Sequence, residues 1–377
     1  MRIRKLSALL IGATVAATLS WIGSVWSAEV KSSWQVRWEK TLEAAKRENG
    51  VTVYGPSGIE YQNAIMEFQK RYPDIKLNYV ASSGSVRGPR IVMERRAEKY
   101  LVDLLVGGST TPMSVLLPAQ ALDPIRATFI VPEVTDESKW WRKKFLFVDS
   151  DSERIFMMEG QVSSGGMGYN TKLVRAEEVQ NFQSHWDLLN PRWKGKMVAR
   201  DPRAPGSSQN LPFYYYNPML GPQFLYRLFT ETDLTFTRDP RLLIDWLAQG
   251  KFHLALFVAS DIDRAKEQGL PVESLDRPMK EGASIGSGFG TVSYLNRAPH
   301  PNATRVFVNW LLSREGQIAW QKNTERNSLR ADIPKDNIPA DVIPAEQGNY
   351  FVRNMENNDV RPIFKLIDEA LAQKGKR

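Results

Sequence analysis

The 377-residue sequence predicts an α/β fold in two lobes, each a mixed, mainly parallel sheet flanked by helices and hinged where the chain crosses between them. Three observations predict it. Strand–loop–helix units follow one another from residue 51 to residue 120. After a stretch of different composition a second set of such units begins. The chain is also too long for one small domain, so about two globular lobes are expected.

The first 28 residues form a separate object. "MRIRK" places three basic residues ahead of the apolar run "LSALLIGATVAATLSWIG", and "SVWSA" supplies small residues for cleavage after Ser27 or Ala28. This reads as a cleaved signal peptide and places the mature chain in the periplasm. A membrane anchor is the competing reading. The run is near the lower length limit for spanning and lacks a basic stop-transfer cluster, which favours cleavage.

"SWQVRWEKTLEAAKRENG" carries apolar residues at helical spacing and stops at Gly50. Val51 to Tyr54 is a short apolar strand, the loop Gly55-Pro56-Ser57-Gly58 follows, and a helix runs from about Glu60 to Tyr72. "IKLNYVASSGSVRGPRIVMERRAEKY" and "LVDLLVGGSTTPMSVLLPAQ" repeat the unit. Parallel β/α units place ligands beyond the carboxyl ends of their strands, so these small, hydroxyl-rich loops are expected to face a crevice. Thr128 to Arg154, rich in Trp, Lys and acidic groups, reads as a connecting region. "GGMGYNTKLV", "KGKMVARDPRAPGSSQNLPFYYY" and "LAQGKFHLALFVASDIDRAKEQGLPV" then supply the second set. The expected division is lobe 1 at 29–126 plus about 285–330, lobe 2 at about 127–284, and a C-terminal extension at 331–377 packing near the hinge or lobe 2.

Composition excludes several classes. There is no cysteine, hence no disulfide, thiolate metal site or cysteine nucleophile. The net charge of +8 falls to about +5 without the leader, leaving 47 basic residues against 42 acidic ones. The excess is spread along the chain, which argues against nucleic acid and for weak attraction of anionic solutes. An exported hydrolase is the reading from another class, but no Gly-x-Ser-x-Gly elbow, His-Glu-x-x-His pair or Walker-type loop occurs. With three unpaired histidines, His185, His253 and His300, candidates for a general base are few, no zinc site is expected, and the protein is read as a non-enzyme.

The candidate ligand-binding residues lie on the loops. Ser57 and Gly58 follow the first strand, Ser83 and Ser85 the second, and Ser109 and Thr110 the third; Ser207 and Ser208 occupy the corresponding place in the second set, with Ser260 and Asp261 after "FHLALFV". Serines ahead of helices cap them, worth about 1 kcal/mol each. The same geometry lets hydroxyls and backbone N–H groups converge on an anionic oxygen. Arg87, Arg200 and Arg203 lie beside these loops, and Arg87 and Arg203 are the candidates to clamp a carboxylate or phosphate in bidentate fashion. Tyr54, Tyr61, Tyr169 and Phe257 are expected mainly in core packing.

"APHPNATRVFVNWLLSREGQIAWQK" resembles the C-terminal signature of the ferric-iron type of periplasmic solute-binding proteins that serve ABC importers. "VTVYGPSG", "GMGYNTKLV", "SHWDLLNPRWKGKMVARDP" and "NSLRADI" resemble further elements of that family in the right order, from about Val51 to Ile333. The resemblance implies a type II two-lobed periplasmic-binding-protein fold, a monomer that captures a small-molecule ligand between its lobes, and an ABC permease in the inner membrane as partner. It implies no cofactor and no catalytic residue. The family's iron site is not matched: where a pair of adjacent tyrosines is typical, this sequence has Phe257-Val258-Ala259-Ser260, and the first loop offers Ser57 instead of His. Fe(III) requires hard anionic oxygen donors. The expected ligand is therefore a small organic anion, with ferric iron or an iron chelate as the alternative. Tyr214-Tyr215-Tyr216 cannot all point one way and is assigned to a structural or pocket-wall role rather than to metal.

Overall fold

The computed structural model describes residues 31–163, 166–204, 210–258, 261–275 and 279–374. The expected leader lies outside these residues, as do Ser207, Ser208 and Ser260.

Among the described residues fourteen strands run in chain order: β1 (Val51–Gly55), β2 (Leu77–Ala81), β3 (Leu104–Gly107), β4 (Leu122–Asp123), β5 (Ile155–Met157), β6 (Gln161–Ser163), β7 (Met167–Asn170), β8 (Met197–Arg200), β9 (Thr235–Thr237), β10 (Leu254–Leu256), β11 (Val272–Ser274), β12 (Ala283–Gly286), β13 (Thr291–Leu295) and β14 (Tyr350–Val352). The first sheet has the order β2-β1-β3-β13-β4, with β5 also on β13; β1, β2 and β3 are parallel and β13 is antiparallel to β3. The second has the order β11-β7-β10-β8-β9, in which β8, β9 and β10 are parallel and β7 runs against its neighbours.

Strands β1 and β3 are buried throughout, as strands covered by helices on both faces must be. On lobe 1 the helix Ser33–Glu48 packs against Pro301–Leu312, and Ile59–Arg71 against Arg314–Thr324. The lobe 1 core includes Val53, Ile65, Phe68, Leu104, Val106, Phe156 and Phe307, and separate clusters fill lobe 2 around Phe224, Leu228 and Leu256 and around Leu243 and Ile262.

The chain crosses between lobes at β6 and returns at β12, and these two strands pair antiparallel, Ile285 opposite Val162. A third strand, β14, joins β12 in parallel. The first crossing falls later than the expected boundary near residue 127. Residues up to β5 belong to lobe 1, because β5 pairs with β13 and because Phe129, Trp140, Phe145 and Phe147 close on Phe156 at ring separations of 4.8 to 5.9 Å. What reads as a polar connector is thus an aromatic cap on the lobe 1 sheet.

Candidate functional site

The carboxyl ends of β1, β2 and β3 lie at one edge of the lobe 1 sheet, where β13 begins and β5 ends, since β5 runs parallel to β3 across β13. Five segments therefore meet there: 55–58, 82–85, 107–111, 158–160 and 286–290. The crossover strands leave from the same edge.

Arg87 lies behind these loops in the helix Gly84–Arg96 and is 2% exposed. Its Nη1 donates to the Val106 carbonyl at 3.2 Å, and its Nη2 lies 3.0 Å from where a Cβ on Gly107 would sit. Glycine at 107 leaves the guanidinium room. Among the described residues its Nε has no partner and no carboxylate comes within ion-pair distance. Burial pulls its pKa below the ordinary arginine value, with Tyr79 opposing. A buried charge with one carbonyl for company is expensive unless a counter-ion arrives.

The neighbouring candidates are placed as follows. Ser57 is exposed, and Gly58 precedes the helix Ile59–Arg71. Ser83 stands at the N-cap position of the helix Gly84–Arg96 but makes no capping bond; its Oγ lies 3.0 Å from the Ser85 Oγ, and both serines are exposed. The two hydroxyls thus satisfy each other rather than the helix end. Ser109 is buried and Thr110 exposed, while Thr111 Oγ1 donates to the Gly84 carbonyl at 3.3 Å and ties the second loop to the third.

Two features of this edge escape a reading of the sequence. Phe289, in "GSGFG", is 42% exposed, its ring 5.2 Å from Tyr61, which itself leans on Trp320 at 5.7 Å. The signal was visible as one large apolar residue among glycines and a serine. Glu159 is fully buried at the end of β5, with Trp320 Nε1 donating to its Oε2 at 3.2 Å and its Oε1 without a partner. Burial pushes its pKa up to about 8 against the pull of Arg326. Gly288, at φ +49°, and Gly290 lie directly against this carboxyl group, which leaves no space for side chains.

Lobe 2 is arranged differently. Arg203 donates from Nε to Asp201 Oδ1 at 3.0 Å and from Nη1 to Asp368 Oδ1 at 3.4 Å, so its charge is already compensated. Arg238 adds a bond to the other Asp201 oxygen at 3.2 Å. Burial raises the Asp201 pKa, but these arginine bonds outweigh it and hold the group below the usual carboxylate value. Asp261 opens the helix Asp261–Glu267, lies 3.7 Å from Arg264 and lines a surface recess with Arg241 and Asp245.

The aromatic run is structural. Tyr214 is 1% exposed, stacks on Phe224 at 5.8 Å and meets Phe257 edge-on at 5.7 Å; Tyr216 Oη donates to the Asp359 carbonyl at 2.7 Å. Among the described residues no group of three or more His, Asp or Glu side chains is placed to hold a metal ion. Two of the three histidines each have one carboxylate partner, brought from far along the chain. His185 Nδ1 lies 3.0 Å from Glu281 Oε2, and His300 Nδ1 lies 2.8 Å from Asp103 Oδ2. Both partners come from about a hundred residues or more away in the chain, which local spacing cannot reveal.

No protein-family model matches the chain. An uncharacterized protein of Haemophilus influenzae is 22% identical over 291 residues, covering 74% of this chain and 78% of its own length. Among solved structures the chain is similar to the periplasmic binding protein AfuA of Actinobacillus pleuropneumoniae with fructose-6-phosphate bound, at TM-score 0.54 and 19% identity over 86% of this chain and 99% of that one. It is similar to iron-bound HitA of Pseudomonas aeruginosa at TM-score 0.56 and 16% identity, with 85% and 99% covered. A Trichodesmium protein, IdiA or FutA, in complex with iron and citrate gives TM-score 0.63 at 15% identity, again with 85% and 99% covered. The chain therefore has the two-lobed periplasmic-binding-protein fold. These neighbours hold a sugar phosphate in one case and iron in the others, so the fold does not select the solute.

Proposed function

We propose that this protein is the periplasmic solute-binding component of an ABC import system, that it captures a small organic anion between its lobes, and that it delivers the anion to an inner-membrane permease. Arg87 carries this reading: a buried guanidinium with no counter-charge among the described residues, set where five loop segments meet at the cleft edge of lobe 1. A phosphate or carboxylate reaching it would turn an uncompensated charge into a charge-assisted pair, and binding from the second lobe would favour the closed state. Ser57, Gly58, Ser83, Ser85, Ser109 and Thr110 supply the polar surroundings on this side; Ser207, Ser208, Ser260 and Asp261 are the lobe 2 candidates, while Arg203 is already held by Asp201 and Asp368. Export through a cleaved leader and a monomeric, non-enzymatic role belong to the same proposal, in keeping with neighbours that are periplasmic binding proteins. Among the described residues no helix is long and apolar enough to cross a membrane.

Iron held together with an organic anion is the second reading, favoured by the neighbour that carries iron and citrate. Thermal unfolding against a panel of phosphate esters, carboxylates and ferric salts separates the two. Stabilisation by organic anions in the absence of iron supports the first reading, and stabilisation that requires ferric ion replaces it with the second.

A further inference from the structure

At the lobe 1 edge the turn 287–290 holds Phe289 out towards solvent. Gly290 N donates to the Ser287 carbonyl at 2.8 Å, which closes the turn, and Gly288 takes φ +49°. A Cβ on Gly288 or on Gly290 would strike Glu159, so the backbone of the turn is seated directly on that buried residue. The phenyl ring is fixed as well. Tyr61 meets it edge-on, with 78° between the ring planes, and Tyr61 is itself buried against Trp320, whose indole donates to Glu159. Scattered exposed apolar side chains are ordinary on a protein surface. This one is held at backbone and ring alike, and Ile59 and Val86, in the first turns of the helices after β1 and β2, are exposed at the same edge.

Its place relative to Arg87 follows from two adjoining glycines at the end of β3. A Cβ on Gly107 would lie 3.0 Å from Arg87 Nη2, and one on Gly108 would lie 3.3 Å from the Gly288 carbonyl oxygen and 3.9 Å from Phe289 Cδ1. The guanidinium and the phenyl ring thus pack on successive residues, which bounds the separation of Nη2 and Cδ1 at about 14 Å. Ser109 and Thr110 follow directly in the chain. A solute lying beyond the end of β3 is in reach of a buried cation and an exposed aromatic ring together.

We propose that Phe289 is a ligand-binding and specificity-determining residue, which packs against a flat apolar body of the solute while the anionic head reaches Arg87, so that the site takes an aromatic carboxylate or an aryl phosphate in preference to a small anion of the same charge. This rests on the anion-binding reading above and deepens it. An aromatic body makes offset or edge-on contact with the phenyl ring, and covering that ring removes its apolar surface from water. A ring that is already fixed loses little freedom when the solute arrives.

The test is calorimetric titration of the full protein with phenyl phosphate beside methyl phosphate and benzoate beside acetate, for wild type, F289A, F289L and R87M, with the unliganded thermal midpoint of each. Wild type is expected to prefer the aromatic member of at least one pair by about tenfold or more, and the pair that shows it decides between phosphate and carboxylate. F289A then weakens the aromatic member by about tenfold and leaves the methyl member unchanged, at an unliganded midpoint close to that of wild type. F289L recovers part of the loss, and R87M weakens both members. Affinities for the two members within about twofold in wild type overturn the inference, as does an equal loss of both in F289A, which is what a contact with the closing second lobe would give. If wild type binds none of the four but binds citrate or fructose 6-phosphate, this inference alone falls. If it binds none of these organic anions, the anion reading falls with it.

Discussion

Two arginines beside the loops, one in each lobe, stand in opposite electrical states. In lobe 1, Arg87 is buried with a single carbonyl acceptor, and in lobe 2, Arg203 is divided between Asp201 and Asp368 while Arg238 shares the same aspartate. An arginine that already owns its carboxylates gains little from a further anion. One without them gains most of a charge-assisted bond. On the proposed function, this contrast gives anion capture to lobe 1, with the described part of lobe 2 framing the cleft.

The largest expected effect follows from Arg87. Replacement by Met should weaken organic-anion binding by about 1.5 to 3 kcal/mol for each charged bond lost, roughly ten- to hundredfold or more, as read by calorimetry. The same variant should unfold at a midpoint no lower than wild type, because an uncompensated charge leaves the interior. A variant that binds normally would erase the contrast between the lobes.

Next comes the other uncompensated group at that edge, Glu159. Its pKa in the folded protein, about 8, lies above the ordinary value of 4.5, so its contribution is fully present below about pH 4.5 and is lost as pH rises through about 8. Glu159→Gln should therefore match wild type in midpoint near pH 4 and exceed it by a growing margin towards pH 8. Thermal melts at several pH values give the comparison, and parallel curves would mean that the carboxyl group is ionised at neutrality.

Arg203→Ala sharpens the other side. Its side chain is 41% exposed and its ion pairs are solvent-screened, so the expected stability loss is about 0.5 to 1 kcal/mol with solute affinity nearly unchanged. A loss of affinity as large as that of Arg87→Met would show that the arginine changes partners on closure. The smallest effect is expected from Ser83→Ala with Ser85→Ala, whose hydroxyls are exposed and bonded to each other; a change of no more than about 1 kcal/mol in binding is predicted by titration.

Much of the fold is legible in the sequence because parallel strands buried on both faces are written as continuous apolar runs such as Val51 to Tyr54 and Leu104 to Val106. The lobe boundary is not. β5 finds its partner β13 more than a hundred residues later, and a polar stretch gives no local sign of such a pairing. At the site, the loops that follow the parallel strands can be read from glycine and hydroxyl residues, but burial cannot. Arg87 looks like any arginine early in a helix until Val106 and Gly107 enclose it.

The central claim is that lobe 1 offers an uncompensated guanidinium to an organic anion. Its most direct test is the thermal midpoint of wild type and Arg87→Met against citrate, succinate, fructose 6-phosphate and ferric chloride. A ligand at a hundred times its dissociation constant adds about 2.7 kcal/mol. The account predicts a shift of a few degrees with an organic anion in wild type, its absence in the variant, and no shift with ferric ion alone. Equal shifts in both proteins, or a shift with ferric ion only, would contradict it.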